Sequence, residues 1–202
     1  MTLETDRIET QMGDVDLVEQ EPIPFGVLEI YTSPHKGKPM EQHDSIFAFA
    51  HKGLQGDRYN MDIISTEIAH YVNHRIDNAQ RNVTIISRKG VSNANDELEK
   101  NGGVRIKLSE TRRNLVVEID PEVLNALAET QGEFSIGGVR MKAVELAKPC
   151  VIPPTFLGRP EDGPAFVKAY LQSGGIRAEI LNDGEISKGD LMVLPQLATS
   201  QP

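Results

Sequence analysis

From Phe25 onward the chain is a series of short apolar runs, many alternating with polar residues and most ending at glycine or proline. Gly26 to Thr32 is rich in β-formers and stops at Ser33-Pro34, which predicts a first strand followed by a long loop, Ser33 to Asp44. Over 61–74, Ile64, Ile68 and Val72 recur every four residues and predict a helix, and Arg81 to Ser87 reads as a strand. Ser92 to Lys100 is a short polar helix closing at Gly102-Gly103. Leu115 to Ile119 is the next strand. Asp120-Pro121 then supplies an N-cap and a first-turn proline for a helix running to Gly132, with Val123, Leu124 and Leu127 turned to one side.

The second half reads as hairpins. Phe134 to Ile136 and Val139 to Leu146 flank Gly137-Gly138, and the second of these strands runs into Pro149-Cys150. A helix over Gly163 to Gln172, capped by Asp162, ends at Gly174-Gly175. Ile176 to Leu181 and Glu185 to Leu194 then surround Asn182-Asp183-Gly184, with Asp-Gly as the favoured hairpin dipeptide. The expected fold class is α+β, a mostly antiparallel β-barrel or strongly bent sheet with short peripheral helices, rather than a doubly wound parallel sheet. No strand-to-helix turn carries the glycine pattern of a dinucleotide or P-loop site. The expected organisation is an acidic N-terminal arm (1–24), one domain (25–195) and a C-terminal tail (196–202).

Composition sharpens this picture at two points. The 202 residues carry a formal net charge of −9. Residues 1–21 hold seven acidic side chains and one base, Arg7, a net of −6, which leaves only −3 for the rest. The balance argues against nucleic acid as a partner, since such affinity comes from Lys and Arg neutralising phosphates. It leaves room for one anionic small molecule in a locally basic pocket. No stretch approaches the roughly 20 apolar residues of a membrane span, so no membrane partner is expected. The single cysteine, Cys150, cannot form an intramolecular disulfide, and a reducing, cytoplasmic setting is expected.

Four features could carry chemistry. Cys150 follows Pro149 at a strand end opening into Val151-Ile152-Pro153-Pro154; a lone thiol by itself reads first as a small buried hydrophobe, and a reactive role has to come from its context, strand ends being where reactive groups are presented. Thr111-Arg112-Arg113-Asn114 sets two guanidiniums beside hydroxyl and amide groups, a pattern that grips a phosphate or another planar anion through forked bonds. Were the pair part of a strand, only one arginine would reach a given pocket. In Gly53-Leu54-Gln55-Gly56-Asp57-Arg58-Tyr59 a glycine-bracketed turn places Asp57 to buttress Arg58. Gly174-Gly175-Ile176-Arg177-Ala178 has the same look. His70 and His74 would share a helix face, but no glutamate or second pair completes a zinc pattern. His35, His43 and His51 lie in loop-like sequence.

Taken in order, Gly53 to Tyr59, Arg81 to Ser87, Thr111 to Val117, Phe134 to Gly137, Pro149-Cys150, and Gly175 to Ala178 through Gly184 to Gly189-Asp190 resemble the MOSC domain, the molybdenum cofactor sulfurase C-terminal domain, over about Phe25 to Leu194. The resemblance implies a barrel-centred α+β fold of the free-standing bacterial type and a tie to the molybdenum cofactor (molybdopterin) or to sulfur handling. It implies that Cys150 ligates molybdenum or carries sulfur, that Arg112, Arg113 and Asn114 lie beside the pterin and its phosphate, and that Asp57, Arg58 and Arg177 sit at the pocket rim or its supports. Either a molybdenum-dependent oxidoreductase or a sulfur-transfer protein would fit, as would a cofactor-delivery module. A thiol enzyme without molybdenum, or a small-anion binder, on the same fold is the further alternative. A cysteine desulfurase or a redox protein is the implied partner. Pyridoxal phosphate, associated with some relatives, has no identifiable site: the lysine nearest the thiol, Lys148, reads simply as a charge beside it.

Overall fold

The computed structural model describes residues 25–60 and 82–194. The helix expected over 61–74, the acidic arm and the C-terminal tail lie outside the described residues. In chain order the strands are β1 (Phe25–Thr32), β2 (Glu41–His43), β3 (Ser45–Phe49), β4 (Gly53–Leu54), β5 (Val83–Ser87), β6 (Leu115–Val117), β7 (Glu133–Ile136), β8 (Val139–Leu146), β9 (Ile176–Ile180), β10 (Gly184–Ser187) and β11 (Leu191–Val193). The helices are α1 (Arg88–Lys100), α2 (Pro121–Thr130), α3 (Ile152–Phe156) and α4 (Gly163–Ala169), with 3-10 turns at Leu108–Thr111 and Pro160–Asp162.

Seven strands close into a barrel in the order β11-β7-β8-β9-β5-β6-β1, with β11 pairing back onto β1 and β2 flanking β1 on the outside of the circuit. Closure leaves these seven strands without a free edge. Every neighbouring pair is antiparallel except β5 and β6, which run parallel in the register Ile85 opposite Leu115 and Ser87 opposite Val117. A parallel pair needs a crossover, and α1 supplies it. Ile85, Leu115 and Val117 fill the barrel interior, whereas Ile86 and Val116 point outward into a second apolar cluster with Val91, Ala94 and Leu98 of α1 and Phe166 and Tyr170 around α4. Burial on both faces explains why these two strands read as unbroken apolar runs rather than alternating ones.

Several expectations about individual elements change. Helix α1 begins directly after β5, four residues before Ser92, because Ser87 acts as its N-cap and its hydroxyl accepts from the Gly90 amide at 3.0 Å. The loop from Ser33 to Asp44 contains β2. Asp120 and Asp162 stand at the N-termini of α2 and α4 without a side-chain capping bond, Asp120 pairing instead with Lys89.

The largest change concerns the hairpin expected between Ile176–Leu181 and Glu185–Leu194. Strand β9 pairs with β5 and β8, while β10 leaves the barrel and pairs with β3 in a small sheet, β10-β3-β4. The side chains between β9 and β10 bind remote segments: Asn182 accepts from the Arg140 amide of β8 at 2.7 Å and Asp183 accepts from the Ala50 amide at 2.7 Å. Gly189, at φ +87°, then breaks the long apolar run. Its second half, β11, returns to the barrel beside β7 and β1.

Candidate functional site

On the outer wall of the barrel the helical cover ends next to Ile86 and Val116, and a polar patch begins. Thr84 of β5 stands opposite Arg177 of β9, and Asn114 leads into β6 beside them. The chain enters this patch through the 3-10 turn at Leu108–Thr111, after which Arg112 takes a left-handed conformation, φ +60°. The two arginines therefore precede β6 instead of alternating along it, and the rule that strand neighbours face apart does not apply.

Arg112 reaches back over the loop after β1. Its Nη1 donates to the Lys38 carbonyl at 2.9 Å and its Nη2 to Ser33 Oγ at 2.6 Å, while the guanidinium lies 5.1 Å from the Phe156 ring centroid. Arg58 Nη1 approaches the same hydroxyl at 3.4 Å, and its Nη2 donates to the Tyr59 hydroxyl at 2.9 Å. Two like charges thus converge on Ser33. Burial first and the Arg58 charge second hold Arg112 below the usual guanidinium pKa, with Tyr59 and Asp57 acting in the opposite sense.

Asp57 is only 2% exposed. Its carboxylate accepts from the Ser33 amide at 2.9 Å, the Tyr59 amide at 2.8 Å and the Asn114 side-chain amide at 3.0 Å. It fixes the loop that presents Arg58. Asn114 completes the clamp: its Oδ1 accepts from Thr84 N at 3.0 Å and Thr84 Oγ1 at 2.8 Å, and its Nδ2 donates to the Tyr31 carbonyl at 3.1 Å. Both groups are held inside the wall, whereas Arg58 and Arg112 are less buried and lie beside the exposed rings of Tyr59 and Phe156.

Arg113 turns the other way, toward Cys150. Its Nε donates to the Gly174 carbonyl at 2.8 Å and its Nη2 to the Ala147 carbonyl at 3.1 Å. Among the described residues no carboxylate lies within ion-pair distance of it. Burial pushes its pKa down to about 10, the Arg177 charge adds to this, and Cys150 and Tyr59 draw it back up. The group is still a cation at neutral pH. Arg177 is held by Glu145 at 2.9 Å, which a register shift in β8 between Ala143 and Glu145 places directly opposite it. Cys150 is exposed. Beneath it lies a shallow hollow of about 270 Å³, counted out to open solvent, whose lining includes Arg113, Pro149, Pro153, Phe166 and Tyr170.

The seven candidate site residues fall in two adjoining groups: Arg58, Arg112, Asp57 and Asn114 around Ser33, and Arg113 beside Cys150 with Arg177 near enough to Arg113 for its charge to be felt. Sequence reasoning missed Ser33, Glu145, Phe156 and the carbonyls of Lys38, Ala147 and Gly174. None of these left a trace in the residue pattern, Glu145 included, because it meets Arg177 only through the register shift in β8. Among the described residues no group of three or more His, Cys, Asp or Glu side chains could hold a metal ion unaided. The donor set suits a phosphate-bearing organic group, with guanidiniums for the anion and one thiol for a soft metal.

A closed barrel with an arginine-lined outer wall and a single exposed thiol defines the class of protein. Residues 51–193 match the model of the MOSC domain, and the chain belongs to that family. The fold is similar to that of the YuaD protein from Bacillus subtilis, with a TM-score of 0.66 at 18% identity, covering 85% of this chain and 96% of that one. YiiM from Escherichia coli is similar at TM-score 0.58 and 13% identity, covering 87% of this chain and 71% of that one. YiiM from Geobacillus stearothermophilus follows at 0.54 and 14%, covering 88% and 78%. No curated protein matches the chain. Among the described residues no helix is long and apolar enough to cross a membrane.

Proposed function

We propose that this MOSC-domain protein binds the molybdenum cofactor against the outer barrel wall and uses Cys150 as a ligand to its metal or as a carrier of transferable sulfur. The observation that supports this most is the hollow that Cys150 and Arg113 both line, Arg113 being a largely buried cation whose hydrogen bonds, among the described residues, run to neutral carbonyls. Such a charge favours an anion beside it, and a thiolate is the form in which cysteine ligates metal or attacks sulfur. Arg58 and Arg112, converging on Ser33, hold the phosphate end. Arg177, steadied by Glu145, lines the approach to the thiol. Asp57 and Asn114 keep the two arginine-bearing loops in register. When bound, the cofactor supplies a redox-active metal with an open position for a soft ligand. The partner is a cysteine desulfurase or a redox protein, and the setting is cytoplasmic.

The experiment is anaerobic purification from a host that makes the cofactor, followed by metal analysis and fluorescence of the oxidised pterin. About one molybdenum per chain with a pterin signal is expected. Arg112→Gln should lower both at least roughly tenfold, the loss of one charge-assisted pair. Wild-type protein devoid of metal and pterin alike would sink the cofactor reading.

A further inference from the structure

The loop after β1 carries cations that the surrounding surface does not neutralise. From Ser33 to Met40 the chain holds Lys36 and Lys38 and no acidic residue. The loop is tied to the arginine pair: Ser33 Oγ accepts from Arg112 at 2.6 Å and donates to the His35 carbonyl at 3.2 Å, and the Lys38 carbonyl accepts from Arg112 at 2.9 Å. Lys36 and Lys38 are themselves exposed, and among the described residues neither has a carboxylate partner. On other faces Arg88, Lys89, Arg105, Arg140 and Lys188 each have one. Asp57, buried under the loop, gives its oxygens to three amides. Lys36, Lys38, Arg58 and Arg112 thus form a positively charged rim.

The same chain contains the matching charge. Residues 1–21 hold seven acidic side chains and one base, a net of −6 within a total of −9. Their length is sufficient. Strand β1 leads from Phe25 to the rim, and its eight residues cover about 26 Å. Doubling back over that distance takes about eight residues, 17–24, since an extended chain spans roughly 3.3 Å per residue. Residues 1–16, in which Glu4, Asp6, Glu9, Asp14 and Asp16 stand against Arg7 alone, can then reach Ser33 and beyond. We propose that this acidic arm docks on the rim of Lys36, Lys38, Arg58 and Arg112 in the protein without its anionic ligand and gives way when that ligand takes the arginines. This rests on the reading that Arg58 and Arg112 hold a phosphate end, and adds to it a competitor for that place within the same chain. Each exposed ion pair is weak. Tethering offsets this, because it holds the acids near the rim at an effective concentration on the order of millimolar, which a free acidic protein does not reach. The contact is correspondingly reversible and salt-sensitive, as a guard that must yield to a phosphate has to be.

The test uses the full chain from a host that makes no molybdenum cofactor, treated with a water-soluble carbodiimide, which joins a carboxylate to an amine only where the two are in contact. Mass spectrometry should find amide links from the acids of residues 1–16 to Lys36 or Lys38. Their yield should be unchanged when the protein is diluted roughly tenfold, and should fall at least roughly fivefold in about 1 M salt, where the Debye length is about 3 Å. Links to other lysines alone, or none, would overturn the docking. Links that fade on dilution would assign the arm to a second copy of the chain and overturn it too. The second measurement is calorimetric titration with inorganic pyrophosphate. A variant combining Glu4→Gln, Asp6→Asn, Glu9→Gln, Asp14→Asn and Asp16→Asn should bind it roughly five- to tenfold more tightly than wild type, and pyrophosphate should suppress the links in wild type. Equal affinities, or links that survive saturating pyrophosphate, would overturn the guard while leaving the phosphate reading of the arginines standing. If pyrophosphate binds neither protein, the phosphate reading fails and the guard with it.

Discussion

Alanine at Gly175 is expected to lower the unfolding free energy by about 3 kcal/mol or more, a cost set by backbone sterics alone. Gly175 sits at φ +79°, and a Cβ there would lie 2.1 Å from the Ile85 carbonyl oxygen, an atom of the neighbouring strand. That oxygen cannot swing aside as a side chain would. Its own residue pairs with Ile176 at the start of β9, and Gly175 accepts from the Ala147 amide at 2.8 Å on the other side. Relief would have to come from parting β9 from β5 or from β8. The adjacent Gly174 is nearly as constrained, with a Cβ falling 2.4 Å from the Ala147 carbonyl. That carbonyl is an Arg113 acceptor, so Gly174→Ala should also disturb the thiol side of the site. Thermal denaturation should show Gly175→Ala melting roughly 6–12 °C below wild type, given about 2–4 °C per kcal/mol in a chain of this size. Gly138→Ala is the control: nothing lies within 4 Å of its added methyl, and it should change stability by no more than about 0.5 kcal/mol. A Gly175→Ala protein melting alongside that control would refute the steric argument.

The same stretch shows what could be read from the chain and what could not. The Gly137-Gly138 turn, the helix after Asp120-Pro121 and the barrel strands were legible because alternation and turn chemistry are local properties. The glycine-bounded Arg177 was legible as a residue type in a suggestive setting. Its partner was not, since Glu145 faces it only by virtue of a register shift that no residue pattern announces. The arginine pair was likewise visible, but its geometry depended on one left-handed residue, Arg112, that strand periodicity could not foresee. Arg113 is held by carbonyls 34 and 61 positions away in sequence, and backbone acceptors have no sequence signature. The hairpin assigned to Asn182-Asp183-Gly184 failed for a related reason. The dipeptide is a local signal, whereas Asn182 bonds to Arg140 of β8 and Asp183 to Ala50 after β3, contacts remote in sequence that accompany the departure of β10 from the barrel.

Asn114→Asp is expected to be the most damaging substitution among the polar residues of the site, and its damage should depend on pH. Asn114 Nδ2 lies 3.0 Å from Asp57 Oδ2, with Asn114 only 7% and Asp57 2% exposed. An aspartate there replaces the donor with an oxygen that faces both that carboxylate and the Tyr31 carbonyl. Two buried carboxyls at this separation cannot both ionise, so the folded variant retains a proton that the unfolded chain has released by neutral pH. The shared carboxyl pKa is thereby raised on folding. Stability is then greatest below the unfolded carboxylate range of about 4 and falls as pH rises through the folded value. Relative to wild type, the deficit should reach about 3–5 kcal/mol near neutrality and shrink progressively on acidification. Asn114→Ala separates the charge effect from the loss of the clamp, because it removes the same bonds without adding a carboxyl and should show no such extra slope. Urea titrations of the three proteins between about pH 5 and 8 measure the difference directly. Parallel stability curves for Asn114→Asp and wild type would mean that the Asp57–Asn114 contact does not link the Arg58 loop to the Arg112-Arg113 turn. A steep divergence toward high pH places that buried amide at the centre of the arginine cluster's construction.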